Sequence, residues 1–346
     1  MMLPSAVSRK GLWNKLQDKT ATLAHAFVYS AAMQLPRVDL GKLDLTAMDR
    51  ACREWGSFVL LGHDIDAQLQ QEALTQCQAF FTQPLAAKNR IRRSASNAWG
   101  FFDAELTKNR RDWKEIIDIG PAVTTGPLAG SAPQWPDLPG FRESMEQLSD
   151  SMHSIALTMV HNIARALQCQ TDLCAPFAKH SSFLRLNYYP ACPEPAPPDA
   201  DFTPEHGHLG ISHHTDAGAV TVLLQDAQPG LQIHRGGTWH TVDPVEGGLI
   251  INTGDIVQVW SNDRYPAALH RVLANAECER ISLPYFLNPD YDYSYAPLTD
   301  GLPGAAPPRY RAINWGEFRS RRSAGDYADY GEEVQISQYA VANLEG

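Results

Sequence analysis

Two features that the sequence lacks restrict the class of protein to which this chain can belong. No apolar run among its 346 residues approaches the roughly 20 residues needed to span a bilayer. The six cysteines are scattered and form no Cys-x-x-Cys pair, which fits reduced thiols in the cytoplasm better than a disulfide framework. We therefore expect a cytoplasmic protein without a membrane partner.

Positive charge is also scarce. The chain has 29 basic and 39 acidic residues, which gives a formal net charge of −10. Because phosphate groups bind to basic surfaces, this balance argues against nucleic acid as a partner. The hydrophobic fraction of 44% is ordinary for a globular protein. A monomeric state is the default expectation.

The first 34 residues have a composition of their own. They carry four basic residues and one acidic residue. Trp13, Leu16, Leu23 and Phe27 would share one face if the segment were helical. We expect an N-terminal helix packed on the domain, although the same composition also fits an organelle targeting segment.

Helical periodicity dominates the first half of the chain. Apolar residues recur every three or four positions at 45–55, 68–81 and 141–168, which predicts three helices, the third of them long and amphipathic. Gly56 is a typical helix stop, and the apolar run 57–62 that begins beside it predicts a short strand.

Short β-rich segments separated by Gly, Asn and Asp turns fill most of the second half of the chain. Many short strands at this pitch favour a sandwich or barrel over a parallel doubly wound sheet. We therefore predict a mostly β fold with flanking helices. The predicted strands are 183–189, 219–225, 231–234, 238–242, 249–252, 256–260 and 280–287.

Two histidines and an aspartate are the strongest candidates for chemistry. Such a set binds Fe(II) at non-haem sites and leaves positions open for substrates. His214 and Asp216 are two residues apart and would share a face in a strand, and His270 follows after enough chain for several strands to return. The His-Thr-Asp triplet at 214–216 is a weak signal by itself. Its occurrence together with His270 is what predicts a metal site. His206 and His208 are also metal-capable, but they follow a proline-rich loop and are the weaker pair.

Polar residues at alternate positions of two predicted strands indicate a shared cavity. Side chains two apart in a strand lie on one face, so Arg280 and Ser282 share a face, as do Arg185, Asn187 and Tyr189. A polar face inside a barrel costs free energy unless something binds there. A guanidinium can hold a carboxylate through a two-point fork. Phe286 lies on the same face as Arg280 and is a candidate wall of a substrate pocket.

These residues stand in longer stretches that resemble the Fe(II)- and 2-oxoglutarate-dependent dioxygenases of the isopenicillin N synthase-like family, whose plant members include anthocyanidin synthase and flavonol synthase. The linker at 192–210 looks longer than its plant counterpart. The matching stretches are PRVDL at 36–40, DWKE at 112–115, RLNYYP at 185–190, HTDAGA at 214–219, PGLQ at 229–232, GDIVQVWSN at 254–262, LHRV at 269–272 and RIS at 280–282.

The resemblance implies a fold with three regions. Residues 180–290 would form a distorted double-stranded β-helix, or jelly-roll, core. A helical and mixed region at 35–170 would precede the core, and a C-terminal segment at 291–346 would cover it.

The resemblance also implies the ligands of the site, with O₂ as a further reactant. Phe102 and Trp113 are added to Phe286 as candidate substrate contacts, although aromatic residues are more often part of the core. Fe(II) would be bound by His214, Asp216 and His270. The 2-oxoglutarate co-substrate would be held by Arg280, Ser282, Tyr189 and Asn187.

The implied function is an oxygenase of specialised metabolism that hydroxylates, desaturates or cyclises a small molecule and releases succinate and CO₂. One alternative is a 2-oxoglutarate-independent iron oxidase of the same fold, of the isopenicillin N synthase or aminocyclopropane carboxylate oxidase type. Another is a barrel that binds a small ligand without catalysis. A Zn²⁺ hydrolase would need a positioned general base, and the sequence identifies none.

Overall fold

The structure is a computed structural model that describes residues 34–123, 128–298, 306–325 and 333–341. The helix or targeting segment expected at 1–34 falls, except for its last residue, outside the described residues. None of the described helices is long and apolar enough to cross a membrane.

Sixteen strands lie within the described ranges. They are β1 (Arg37–Asp39), β2 (Ser57–Leu61), β3 (Gly100–Phe102), β4 (Leu106–Thr107), β5 (Arg110–Arg111), β6 (Glu115–Ile119), β7 (Phe183–Tyr189), β8 (Leu209–His214), β9 (Val220–Gln225), β10 (Leu231–Arg235), β11 (Thr238–Thr241), β12 (Leu249–Thr253), β13 (His270–Leu273), β14 (Arg280–Leu287), β15 (Ser294–Tyr295) and β16 (Ile313–Asn314).

Two sheets form the core of the molecule. The larger sheet has the order β1-β2-β12-β9-β14-β7-β6-β3, and the smaller sheet has the order β11-β10-β13-β8. Residues of both sheets line one cavity, which therefore lies between them. The prediction of a mostly β, jelly-roll fold with flanking helices is confirmed. The larger sheet also includes strands from before residue 170, so it continues past the boundary expected for the core.

The three longest helices in the described part of the chain confirm the predicted ones. The first begins where the Asp44 carboxylate accepts hydrogen bonds from the amides of Thr46 and Ala47, and it ends at Gly56 in the left-handed conformation. The helices are α1 (Leu45–Trp55), α2 (Ala67–Phe81), α3 (Leu85–Lys88), α4 (Phe141–Leu167), α5 (Asp255–Trp260) and α6 (Trp315–Ala324).

Helix α4 supports the larger sheet from outside the cavity. It contacts β9 and β14 of that sheet, and it also contacts α1 and α2. Its apolar stripe is buried at every position that the periodicity predicted: Met145, Leu148, Met152, Ile155, Met159 and Ile163. Burial of this stripe fixes the two strands that carry much of the cavity wall.

The predicted strand at 256–260 is wrong, because this run forms helix α5. The chain enters the helix through Gly254, where an added Cβ would lie 2.2 Å from the carbonyl oxygen of Gly218. A short buried apolar run has the same appearance in a strand and in a helix, so periodicity could not decide between them. Strands β8 and β13 were not predicted as such, although both carry proposed metal ligands.

Candidate active site

The two histidines of the predicted metal site lie opposite each other on neighbouring strands. His214 is the last residue of β8, His270 is the first of β13, and the two are direct partners in the antiparallel pair. Asp216 lies beyond the end of β8, so the expected shared strand face is not what brings it to His214. Its position is fixed instead by the Asp255 amide, which donates to the Asp216 carbonyl at 2.8 Å.

The candidate ligand atoms of these three residues converge. The Asp216 Oδ1 atom lies 3.9 Å from His214 Nε2 and 3.8 Å from His270 Nε2. All three ligand atoms lie within 4.8 Å of one another, and this is the one such group among the described residues. Small side-chain adjustments would allow one ion to bind all three at about 2.1 Å.

Hydrogen bonds orient each side chain toward that shared point. The Nδ1 atoms of His214 and His270 lie 2.9 Å and 2.8 Å from the carbonyl oxygens of Ser212 and Ala268. Because a carbonyl only accepts, each Nδ1 carries a proton, and in a neutral imidazole the Nε2 lone pair is then available to a metal. Thr221 donates to Asp216 Oδ2 at 2.6 Å, which leaves Oδ1 directed at the histidines.

Electrostatics keeps one imidazole neutral. Burial, followed by the neighbouring His270, lowers the pKa of His214 well below its ordinary value. A neutral imidazole is the form that binds metal, so ion binding does not have to displace a proton from His214 at neutral pH. His206 and His208 are exposed, and neither joins the cluster found in the described part of the chain.

The arginine predicted to anchor a co-substrate has an unused donor. The Arg280 Nε atom donates to the Gln228 carbonyl and its Nη2 donates to Gln225, whereas the buried Nη1 has no hydrogen-bond partner. A buried donor without a partner costs free energy, and a bound carboxylate would relieve that cost. The Nη1 donor without a partner is the structural observation that makes these residues suitable for binding 2-oxoglutarate.

The other predicted co-substrate residues surround Arg280. Strand register places Arg280 opposite Tyr189 and Ser282 opposite Asn187. The Ser282 hydroxyl lies 3.4 Å from both the Tyr189 hydroxyl and the Asn187 amide nitrogen. All four residues line the same cavity as the histidine–aspartate cluster.

The cavity encloses about 1020 Å³ of empty space, including its open mouth. Apolar residues of both sheets line it, among them Ile211, Leu223 and Phe286. The apolar side chains therefore share one cavity with the candidate metal ligands and with Arg280.

A buried network of ion pairs forms another part of the cavity wall. Lys114 lies 2.7 Å from Glu105 and 3.1 Å from Asp112, and Arg185 pairs with Glu105 at 2.9 Å and with Asp118 at 2.6 Å. Glu105, Lys114 and Arg185 line the cavity itself. A fixed set of charges thus faces the space in which a substrate would lie.

Burial and neighbouring charges shift the pKa values of this network in opposite directions. Burial and the nearby Glu105 raise the pKa of Asp112 to about 6 in spite of Lys114. Burial also acts to raise the pKa of Glu105, but Arg185 and Lys114 outweigh it and lower the pKa to about 2. Glu105 is therefore ionised at neutral pH, whereas the raised pKa of Asp112 lies close to neutral pH.

Arg322 on α6 ties the C-terminal segment to the metal cluster. Its Nη2 donates to the carbonyl of Thr215, the residue between His214 and Asp216, and its Nη1 donates to Asp255 at 2.8 Å. Its Nε lies 3.2 Å from Glu333. One side chain therefore joins α6, the N-terminus of α5 and the metal-binding turn.

The three predicted substrate contacts are in different places. Phe286 lines the cavity as expected. Phe102 lies beneath the guanidinium groups of Arg92 and Arg93, and it is not one of the residues that border the cavity. Trp113 is also outside that lining, because its indole donates to the Pro190 carbonyl at 3.1 Å. The structure thus brings only the first of these aromatics to the site.

Sequence reasoning gave no role to several charged residues of the cavity wall, among them Arg185, Lys114 and Arg322. Arg185 had a usable signal, because it alternates with Asn187 and Tyr189 on the polar face of β7. Lys114 follows Trp113, which was predicted as a substrate contact instead. Arg322 had no signal, since its helix follows the last recognisable motif.

The longer linker at 192–210 is anchored by a buried arginine. Arg271, fully buried on β13, donates to the carbonyls of Pro198, Ala200 and Asp201. Its guanidinium also stacks 4.2 Å from the ring centre of Trp239. The linker is thus fixed against the smaller sheet, one residue away from His270.

Two family models match this chain. The 2OG-Fe(II) oxygenase superfamily matches residues 180–289, and the N-terminal region of non-haem dioxygenases in morphine synthesis matches residues 35–138. Together they cover more than half of the chain, and the first contains every residue of the histidine–aspartate and arginine clusters.

Individual relatives agree with the family models. Gibberellin 20 oxidase 2 of Oryza sativa is 32% identical over 306 residues, which are 84% of this chain and 75% of that protein. The crystal structure of JOX2 in complex with 2OG, Fe and JA has a TM-score of 0.71 at 26% identity, with 98% of this chain and 99% of that chain covered. The dioxygenase for auxin oxidation in rice has a TM-score of 0.68 at 25% identity, over 89% of this chain and 100% of that one.

These matches decide between the alternatives that the sequence left open. The relatives are 2-oxoglutarate-dependent oxygenases, so the co-substrate-independent oxidase and the non-catalytic barrel are both disfavoured. The narrower likeness to anthocyanidin synthase and flavonol synthase is not distinguished from other plant subtypes. The chain belongs to the 2OG-Fe(II) oxygenase superfamily and is an Fe(II)- and 2-oxoglutarate-dependent dioxygenase that acts on a small molecule.

Proposed function

We propose that His214, Asp216 and His270 bind the catalytic Fe(II) of this dioxygenase. The observation that carries the proposal is the convergence of two metal-ready Nε2 atoms and one carboxylate oxygen within 4.8 Å. Bound Fe(II) and 2-oxoglutarate supply O₂ activation, coupled to oxidative decarboxylation that yields succinate and CO₂. The chain's part is to hold the three ligands on one side and keep the other side open.

Arg280, Ser282 and Tyr189 would hold the far carboxylate of 2-oxoglutarate. The unused Nη1 donor of Arg280 and the two hydroxyl groups point to a charge-assisted hydrogen-bond set of the kind that carboxylates prefer. Asn187 would support Ser282 rather than touch the ligand, since its amide donates to the serine hydroxyl. Phe286 would bound the substrate side of the same cavity.

Each of three regions of the chain would have its own role. Residues 180–290 would be the catalytic core, 35–170 would extend the larger sheet and add the ion-pair wall, and 291–346 would cover the cavity through α6. Trp315, Arg319 and Arg322 of that helix support the last role, because all three line the cavity.

The protein would act as a cytoplasmic monomer on a product of specialised metabolism, without nucleic acid or membrane partners. The net charge of −10 is unfavourable for phosphate surfaces, and all six cysteines are free. Gibberellin 20 oxidase 2 is named for a small organic molecule that it oxidises, which supports a small organic substrate.

The direct test is anaerobic Fe(II) titration in the presence of 2-oxoglutarate. A visible charge-transfer band should form with the wild type and not with His214→Ala. His213→Ala is the matched control, since that neighbouring histidine contacts the Phe202 carbonyl and does not belong to the metal cluster. Equal bands from all three proteins would remove His214 from the ligand set.

A further inference from the structure

A buried asparagine on β12 borders the cavity and has a donor that the protein does not use. Asn252 is almost completely buried, and it is one of the residues that line the cavity. Its Oδ1 accepts a hydrogen bond from the Ser57 hydroxyl at 2.8 Å. Its Nδ2 carries two N–H groups, and neither has an acceptor among the described residues. These donors are therefore available to a ligand that binds in the cavity.

Strand register places this amide next to the support of one candidate metal ligand. Asn252 is the direct partner of Thr221 on β9, and both residues line the cavity. Side chains that lie directly opposite each other on one face of an antiparallel pair have Cβ atoms about 4.5–5.5 Å apart. Thr221 donates to Asp216 Oδ2 at 2.6 Å. Asn252 is thus separated from the Asp216 carboxylate by one side chain.

The residue after Asn252 is tied to the support of a second candidate ligand. The Ala268 amide donates to the Thr253 carbonyl at 3.1 Å. The Ala268 carbonyl in turn lies 2.8 Å from His270 Nδ1, from which it accepts. Hydrogen bonds of the backbone and of Thr221 therefore hold Asn252 close to the groups that orient both Asp216 and His270.

The proposed co-substrate presents acceptors at this place. 2-Oxoglutarate has a keto acid group at one end and a second carboxylate at the other. Because Arg280 would hold the second carboxylate, the keto acid group is the end that reaches the metal ligands. Its oxygen atoms accept hydrogen bonds, and those that involve a carboxylate are stronger than bonds between neutral groups.

We propose that the Asn252 amide donates a hydrogen bond to an oxygen of the keto acid group of 2-oxoglutarate and thereby fixes this end of the co-substrate beside the metal. The inference rests on the proposed function, because it takes the iron to be bound at the histidine–aspartate cluster. The co-substrate would then be held at both ends, by Arg280 and its neighbours at one and by Asn252 at the other.

The experiment separates Fe(II) binding from 2-oxoglutarate binding. Under anaerobic conditions, calorimetric titration measures the Fe(II) affinity, and the visible charge-transfer band of the Fe(II)-saturated protein then measures the 2-oxoglutarate affinity. Asn252→Leu removes the donor and leaves a side chain of similar size. It should bind 2-oxoglutarate about tenfold more weakly, the effect of one hydrogen bond to a charged group, and its Fe(II) affinity should be unchanged.

Two results for Asn252→Leu would overturn the proposal. One is a 2-oxoglutarate affinity equal to that of the wild type. The other is a parallel loss of Fe(II) and 2-oxoglutarate affinity, because it would show that Asn252 acts through the contact of Thr221 with Asp216. A band in the wild type with either result refutes this inference alone, whereas absence of the band from the wild type refutes the proposed function.

Two further variants complete the test. Asn252→Asp retains an acceptor for the Ser57 hydroxyl and replaces the donor with a negative charge, so it decides the question if Asn252→Leu does not fold. Its 2-oxoglutarate affinity should fall at least tenfold, and an affinity equal to that of the wild type would contradict the proposal.

Asn162→Leu is the matched control. Asn162 is a buried asparagine on α4 that accepts from Arg165 and lies outside the cavity lining. This variant should bind Fe(II) and 2-oxoglutarate as the wild type does. A loss of 2-oxoglutarate affinity as large as that in Asn252→Leu would show a general effect of removing a buried amide, against the proposal.

Discussion

The two walls of the active-site cavity are built in different ways. The metal-binding and co-substrate residues form the register-built wall and come largely from directly paired strands, β8 with β13 in the smaller sheet and β7 with β14 in the larger. The charged residues of the ion-pair wall lie next to β4 and β6, on β7 and on α6, and they are held mainly by one another. Register alone positions much of the first wall, whereas the second depends on tertiary contacts between distant segments.

The largest effect outside the metal ligands is expected on the register-built wall. Arg280→Gln removes the charge and the unused Nη1 donor, and a charge-assisted hydrogen bond contributes about 1.5–3 kcal/mol. The 2-oxoglutarate concentration required for half-maximal succinate formation should therefore rise by about a hundredfold. An unchanged requirement would show that the strand pair does not hold the co-substrate.

Arg322 tests whether the two walls are independent. Arg322→Gln removes the buried ion pair with Asp255 and weakens the donation to the Thr215 carbonyl. Because that carbonyl lies between two proposed ligands, Fe(II) affinity should fall about tenfold, as it does when groups supporting metal ligands are lost. Arg321→Gln, an exposed neighbour on the same helix, is the control. Equal Fe(II) titrations for the two variants would show that the walls act separately.

A smaller effect should distinguish the aromatic that lines the cavity from one that does not. Phe286→Ala enlarges the substrate space, so the ranking of a substrate panel should change by several-fold for individual members. Phe102→Ala should leave the ranking unaltered, since Phe102 contacts Arg92 and Arg93 outside the cavity lining. The measurement is succinate formation for each panel member. The reverse pattern would reassign the substrate wall.

The ion-pair wall should affect the stability of the protein rather than ligand binding or turnover. Burial raises the pKa of Asp112 to about 6 from 3.8, so between these values the folded protein binds more protons than the unfolded chain. Stability from this group is therefore lost as pH rises through that window, by an amount on the order of 1–3 kcal/mol. Urea unfolding from pH 4 to pH 6 should show this loss in the wild type and less of it in Asp112→Asn.

The exposed Asp137→Asn variant controls for a general effect of removing a carboxylate. It should unfold with the same pH dependence as the wild type. If the dependence of Asp112→Asn also matched the wild type, Asp112 would not be held in a raised-pKa state.

How well the sequence predicts the site residues also differs between the two walls. Alternation on β7 and β14 was enough to group Asn187, Tyr189, Arg280 and Ser282, because side-chain direction in a strand is a local property. It was not enough for Asp216, which a turn positions, or for the helix at Asp255–Trp260, whose buried apolar run has no distinguishing period. Pairings between residues far apart in sequence, such as that of Arg185 with Asp118, have no local pattern at all.

The central claim is that one ferrous ion is shared by His214, Asp216 and His270. The most direct test is anomalous diffraction at the iron edge from crystals grown anaerobically with Fe(II) and 2-oxoglutarate. The account predicts a single strong peak within bonding distance of His214 Nε2, Asp216 Oδ1 and His270 Nε2. A peak bound by other side chains, or one that excludes any of these three, would contradict it.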